Sequence, residues 1–366
     1  MIKTRKGYVD LLKIISIFLV ILFHTRMVNK DIANGVTLDS VLSYTMYNFL
    51  ALAVPMFIFI NGYLTFHKNK ESEWSRKKQK NIVGLAIFWS IVYFIISNKA
   101  NMSLEKIIHV LMNYNYYTYG SLWFLFTLFG VYLFAPFLYN IYQQNRKYFL
   151  YFLVVVFIFT FLNNFLKDIV NSVMFLVEGQ KMDHLVLAKN GEMQFNPFQN
   201  LREINFGSML LYYVFGGLVK ELQQKGKHTW SRMTYFLIFA ASFVLQLLIN
   251  VFLSKSLHET YYNAYGNYQS PFILVAVVAI FLCMSTFSFK SNALINNLGA
   301  NTLGIYLLHR PLLEIIKKEP FLVNSIDYLK LTFLREILIA SLVFIICWVL
   351  TIILKKIPFI SKVFMM

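Results

Sequence analysis

Long apolar runs alternate with short basic segments along the chain, and ten of the runs approach the ~20 residues that an α-helix needs to cross a bilayer's hydrocarbon core. They are Tyr8 to Thr25, Val41 to Thr65, Ile82 to Ser97, Ser121 to Tyr142, Tyr148 to Lys167, Gly207 to Leu222, Met233 to Leu253, Pro271 to Phe289, Thr302 to Ile316 and Leu331 to Leu354. The ninth is the shortest and carries charge. Since helices satisfy their own backbone hydrogen bonds, the pattern predicts an all-α, polytopic membrane protein, a bundle of about ten transmembrane helices. Lys and Arg gather in alternate loops: before Tyr8, Lys68 to Lys80, Arg146 with Lys147, Lys220 to Arg232, Lys290, and Lys355 to Lys362. Such residues stay on the cytoplasmic side, so both termini are expected there, in a multi-pass protein of the cell membrane. The opposite loops differ in kind. One is rich in tyrosine, with Tyr114, Tyr116, Tyr117 and Tyr119, and the longest runs from Asp168 to Asn205.

Composition narrows the class further. A chain of 366 residues with 58% hydrophobic, 18% aromatic and only 14% charged residues is too apolar for a soluble domain of that size. The net charge of +17 does not point to nucleic acid, because the cations sit in loops between spans rather than on one soluble face. Cys283 and Cys347 both lie inside apolar runs, which excludes a disulfide framework and suits packing. Asp10 and Lys13 interrupt the first apolar run and no small-residue cleavage site follows, so that run reads as an uncleaved signal anchor. No repeat, low-complexity tract or linker divides the chain, and residues 1–366 read as a single domain. Metal-ligand spacings, phosphate loops and nucleophile elbows are absent from the sequence, so no metal is expected.

The first run carries the clearest chemistry. Asp10, Lys13, Ile17, Val20 and His24 recur every three or four residues and form one helical stripe, ~20 Å long at ~1.5 Å per residue. Charged groups and an imidazole on one face are expensive against lipid, so the stripe is expected to face protein or a water-filled cavity. An imidazole there can serve as general base towards a hydroxyl, since one ring nitrogen accepts a proton while a partner holds the other. Asp10 and Lys13 are spaced to pair. Their pairing suits either helix orientation or support of a site. Arg76, Lys77, Lys78 and Lys80 gather just outside the third run, where cations bind phosphates, bind lipid headgroups or enforce topology.

The same stretch, RKGYVDLLKIISIFLVILFH, resembles the opening of the membrane-bound acyltransferase 3 family. There the first helix reads basic-x-x-x-Leu/Val-Asp-x-x-Arg/Lys and ends in His. Other segments carry the likeness in the same order. VPMFIFINGYLTF is similar to the family's Phe-Phe-Ser-Gly-Tyr/Phe-Leu element, with Asn61 in place of the serine. Lys77 and Lys80 stand where the family has two arginines three apart. GSLWFLF resembles its His-Leu-Trp-Phe-Leu run, with Ser121 for the His and Trp123 retained. NTLGIYLLHRPLLEII resembles its Ile-Tyr-Leu-x-His-Pro segment, with Arg310 inserted before the proline.

The resemblance implies an integral membrane O-acyltransferase that takes acetyl from cytoplasmic acetyl-CoA to a hydroxyl of an extracytoplasmic cell-envelope polysaccharide. It implies catalytic roles for His24, Asp10 and His309, and donor binding by Arg76, Lys77, Lys80, Lys13 and Asn61. Arg310 with Glu314, and Arg335 with Glu336, fall near the same external level and are candidates to complete a polar pocket. Expected partners are membrane lipid, acyl-CoA and a glycan acceptor, with a glycan synthase or a second copy of the chain as further candidates. The rival reading is a transporter of polysaccharide or lipid-linked sugar, since polar residues at mid-depth also suit alternating access.

Overall fold

The structure, a computed structural model, describes residues 6–25, 31–33, 35–70, 72–97, 122–162, 165–166, 173, 177, 206–227, 230–257, 260, 268–289, 292–317 and 331–357. The tyrosine-rich segment and nearly all of Asp168 to Asn205 lie outside these residues. Among the described residues the secondary structure is entirely helical. The helices are α1 (Gly7–Thr25), α2 (Leu38–Leu50), α3 (Ala53–Thr65), α4 (Ser72–Ser97), α5 (Trp123–Gln144), α6 (Arg146–Phe157), α7 (Phe206–Gln224), α8 (Arg232–Leu257), α9 (Pro271–Ser285), α10 (Ala293–Lys317) and α11 (Thr332–Leu354). A 3₁₀ turn, Phe66–Lys70, joins α3 to α4, and a π turn, Ile158–Leu162, extends α6. Among the described residues six helical stretches are long and apolar enough to cross a membrane: Gly7–Thr25, Leu38–Asn69, Glu73–Ile96, Trp123–Gln144, Arg232–Lys255 and Thr332–Leu354. Pro271–Ser285 is a shorter apolar helix.

Local chemistry moves several expected boundaries. The run Val41 to Thr65 is two helices rather than one, broken at Ala51 and Leu52. Pro55 has no N–H for the Ala51 carbonyl, and the chain tightens instead, Ala51 and Leu52 N–H bonding the carbonyls of Asn48 (3.2 Å) and Phe49 (3.1 Å). At the start of α2, Thr37 accepts from Ser40 N–H (3.1 Å) and Ser40 Oγ accepts from Thr37 N–H (2.9 Å), a reciprocal cap. Much of the basic segment Lys68 to Lys80, expected as a loop, is the first turns of α4. The ninth run is the second half of α10, whose 25 residues continue through Pro311.

α1 is central, packed against α10, α3 and α11. The tightest helix pair is α3 with α7, and glycine makes it possible. A Cβ on Gly62 would collide with the Tyr213 carbonyl, and one on Gly216 with that of Phe59. α8 and α9 form a pair on the flank, with α8 largely open to the lipid side. Two ends of the bundle follow from the contacts. At one, Lys6 donates to Tyr63 (2.6 Å), Tyr63 to Gln223 (2.7 Å) and Lys355 to Asn301 (2.7 Å), gathering the ends of α1, α3, α7, α10 and α11. At the other, Tyr93 donates to the Leu307 carbonyl (2.8 Å), and Asp39 of α2 accepts from Thr332 N–H and Oγ1 (both 2.8 Å), capping α11 with a carboxylate.

Candidate active site

A cavity of about 690 Å³ runs between α1, α3, α4, α5, α10 and the end of α11. Its first end is cationic: Lys13, Lys78 and Lys355 contribute their side chains to the wall. Lys355 bonds the Asn301 side chain and the Ala300 carbonyl (3.1 Å), and burial holds its amine below the ordinary lysine value. Asp10 lies behind this end, buried, 3.4 Å from Lys13. A Cβ on Gly299 would come within 2.5 Å of its Oδ1, so α10 must present glycine where α1 presents the carboxylate. Further in, the wall is Val54, Phe57, Asn61, Thr65, Leu128 and Tyr132, then Phe124, Val20 and Tyr306.

Val20, Val54, Phe124 and Tyr306 also line a second, small pocket of about 20 Å³, which His24 borders together with Phe23, Leu50, Ala53, Trp123 and Tyr268. The His24 and His309 rings lie with centroids 5.2 Å apart and planes tilted by 30°. His309 is fully buried. Its Nδ1 meets the Tyr306 carbonyl, an acceptor only, so that nitrogen carries the proton and Nε2 presents a lone pair. Nε2 is buried and makes no hydrogen bond among the described residues. His24 thus borders a small pocket that shares walls with a cavity lined by amines, and the buried His309 ring lies against His24 from behind. Such an arrangement can bind an anion at one end and move a proton at the other.

Among known families, a model described as an acyltransferase domain matches residues 6–352. The chain belongs to the acyltransferase 3 family. Comparison with curated proteins and with solved structures gives no match.

In this membrane acyltransferase the expected residues divide into two groups. His24 and His309 come together, Lys13 and Asn61 line the cavity, and Asp10 supports Lys13. Arg76, Lys77 and Lys80 do not reach it: they are exposed on the outer faces of α4, whose inward side at that level is Lys78. Helical register accounts for this, because residues 76, 77 and 80 point away from the cavity once the segment is helical. Arg310 and Glu314 stand 4.0 Å apart and Arg335 and Glu336 3.5 Å apart, and neither pair lines either pocket. Trp123 is a wall of the His24 pocket, while Ser121 lies outside the described residues. Lys355, Tyr132 and Thr65 had no motif to announce them, whereas Tyr306 is the tyrosine of the Ile-Tyr-Leu-x-His-Pro-like segment. No group of three or more His, Cys, Asp or Glu that could hold a metal occurs among the described residues.

Proposed function

We propose that this acyltransferase takes acetyl from cytoplasmic acetyl-CoA and gives it to a hydroxyl of an extracytoplasmic cell-envelope polysaccharide. The observation that carries the reading is the cavity itself, with Lys13, Lys78 and Lys355 at one end and the His24 pocket sharing its walls at the other. Amines suit the phosphates of coenzyme A. Coenzyme A is too polar to leave water, whereas an acetyl group is small and nearly apolar. The small pocket favours acetyl over longer chains, since about 20 Å³ of free space admits a group the size of one water or methyl and its walls are mostly apolar.

In the proposed step the acceptor oxygen bonds to the acyl carbon and the carbon–sulfur bond breaks. The hydroxyl proton passes to the imidazole pair and returns to the departing thiolate. Holding donor and acceptor at one point replaces a bimolecular encounter with a positioned one. For this purpose the six apolar stretches are joined by α6, α7, α9 and α10 to make ten spans in one domain, with the lysine end and both termini cytoplasmic. A glycan synthase or a second copy of the chain are proposed neighbours in the membrane.

Purified protein in nanodiscs, given acetyl-CoA labelled in the acetyl group and a panel of envelope polysaccharides, is expected to move label onto glycan. Enlarging the small pocket with Val54→Ala should raise use of propionyl-CoA relative to acetyl-CoA by about tenfold, the scale of one or two methylenes. Glycan that crosses the membrane with no acyl-CoA requirement would instead favour the transporter.

A further inference from the structure

One face of the large cavity is polar, and its hydrogen bonds have a fixed direction. Asn69 Nδ2 donates to the Phe66 carbonyl (2.8 Å), which only accepts, and to the Tyr213 hydroxyl (3.1 Å). Having accepted there, Tyr213 directs its own proton to Thr65 Oγ1, 2.9 Å away. Thr65 in turn donates to the Asn61 backbone carbonyl (2.7 Å) and leans towards Asn61 Oδ1 (3.2 Å). From across the cavity the buried Tyr132 hydroxyl donates to the same Oδ1 (2.7 Å). Turning the Asn61 amide round would leave the Tyr132 proton without an acceptor among the described residues.

The side-chain oxygen of Asn61 is therefore committed to the protein, while its NH₂ group, with two protons to donate, makes no hydrogen bond among the described residues. Asn61 lines the cavity. Along α3 it lies seven residues from Val54, or ~10 Å at ~1.5 Å per residue, and Val54 borders the His24 pocket. Lys78 and Lys355 lie towards the other end. The unassigned group is an uncharged donor, held from behind, part-way along a cavity with cations at one end and walls shared with the His24 pocket at the other.

We propose that Asn61 Nδ2 donates a hydrogen bond to an amide carbonyl oxygen of the donor's pantetheine arm. This rests on the reading of the donor as acyl-CoA. The arm carries two amides between the phosphates and the thioester. A fixed NH₂ group facing a carbonyl, an acceptor only, sets how far the arm reaches and so where the acyl carbon stops. Tyr132 and Thr65 are positioning residues, holding the amide oxygen so that the nitrogen faces the arm.

Binding to the full-length protein in nanodiscs separates this contact from the phosphate contacts. The probes are acetyl-CoA and S-acetylpantetheine, which has the arm without the phosphates. Asn61→Ala is expected to weaken both by about tenfold, the scale of one hydrogen bond. Lys78→Ala should weaken acetyl-CoA more than S-acetylpantetheine. Tyr132→Phe keeps the Asn61 side chain and frees it to turn, so it should weaken both probes by a smaller factor, about threefold. If Asn61→Ala yields no folded protein, Tyr132→Phe alone decides. Wild type that binds both probes, with a folded variant of Asn61 or Tyr132 that binds S-acetylpantetheine equally well, overturns the assignment and leaves the acyl-CoA reading standing. Wild type that binds neither probe overturns both.

Discussion

His309 shows how much one backbone carbonyl decides. With Nδ1 committed to the Tyr306 carbonyl, the ring offers only Nε2, and it does so 5.2 Å, centre to centre, from the His24 ring. If the two rings move one proton as a unit, His24→Ala and His309→Gln should each reduce acetyl transfer by about 10²-fold or more, and the double variant should lose little beyond either single one. Multiplying losses would mean independent roles. Donor binding should survive in all three, since the lysine end lies ~16 Å from His24, eleven residues along α1 from Lys13. His24 and Lys13 were legible as residue types at helical spacing, and Asn61 through the likeness of its segment to a family element. The pairing of His24 with His309 was not, because 285 residues of chain separate them and only the fold makes α1 and α10 neighbours.

At the level of the helix, the division between Lys78 and its neighbouring cations has a simple origin. Read as a loop, Arg76 to Lys80 have no register and any of them can face the donor. Read as helix, the buried positions Ile82, Ala86, Trp89 and Tyr93 extend back one turn onto Lys78. The same rule finds Lys355, one turn beyond the buried Val343, Cys347 and Thr351 of α11. Lys78 was therefore legible only once the start of α4 was known, which apolar content does not set because the first turns of that helix are polar, whereas α11 ends at Leu354 with its apolar run. Lys78→Ala should accordingly raise the KM for acetyl-CoA more than the double variant Lys77→Ala, Lys80→Ala. The reverse order would return the donor site to the outer face of α4. Glycine contacts give a second test: Gly299→Val must push against Asp10, and overpacking of this kind costs about 1–3 kcal/mol. Its melting temperature in detergent should fall, and donor affinity with it, as Asp10 and Lys13 are displaced.

For the whole molecule, the alternation of apolar runs and cations foretold a helical membrane protein, since hydrocarbon leaves the backbone little alternative. It did not foretell that α2 and α3 break within one run, a matter of one missing N–H. Sidedness is open to direct measurement. Both native cysteines are buried, which leaves a quiet background. Lys68→Cys should resist a membrane-impermeant thiol reagent applied to intact cells and Asn190→Cys should react; labelling at position 68 would invert the proposed orientation. The closeness of α1 and α10 also bears on how the protein is made. α10 carries His309, Arg310 and Glu314, and each charge at the middle of an isolated span costs about 2.5–3.5 kcal/mol on insertion. A segment so poorly suited to lipid on its own enters more easily where a polar neighbour already waits, and α1, synthesised first, offers Asp10 and His24 along the face that α10 covers. Assembly of the His24–His309 pair is then also the step that retains a late helix in the bilayer, so a ribosome that stops before α10 leaves a chain whose first helix lacks the cover that α10 gives Asp10 and His24.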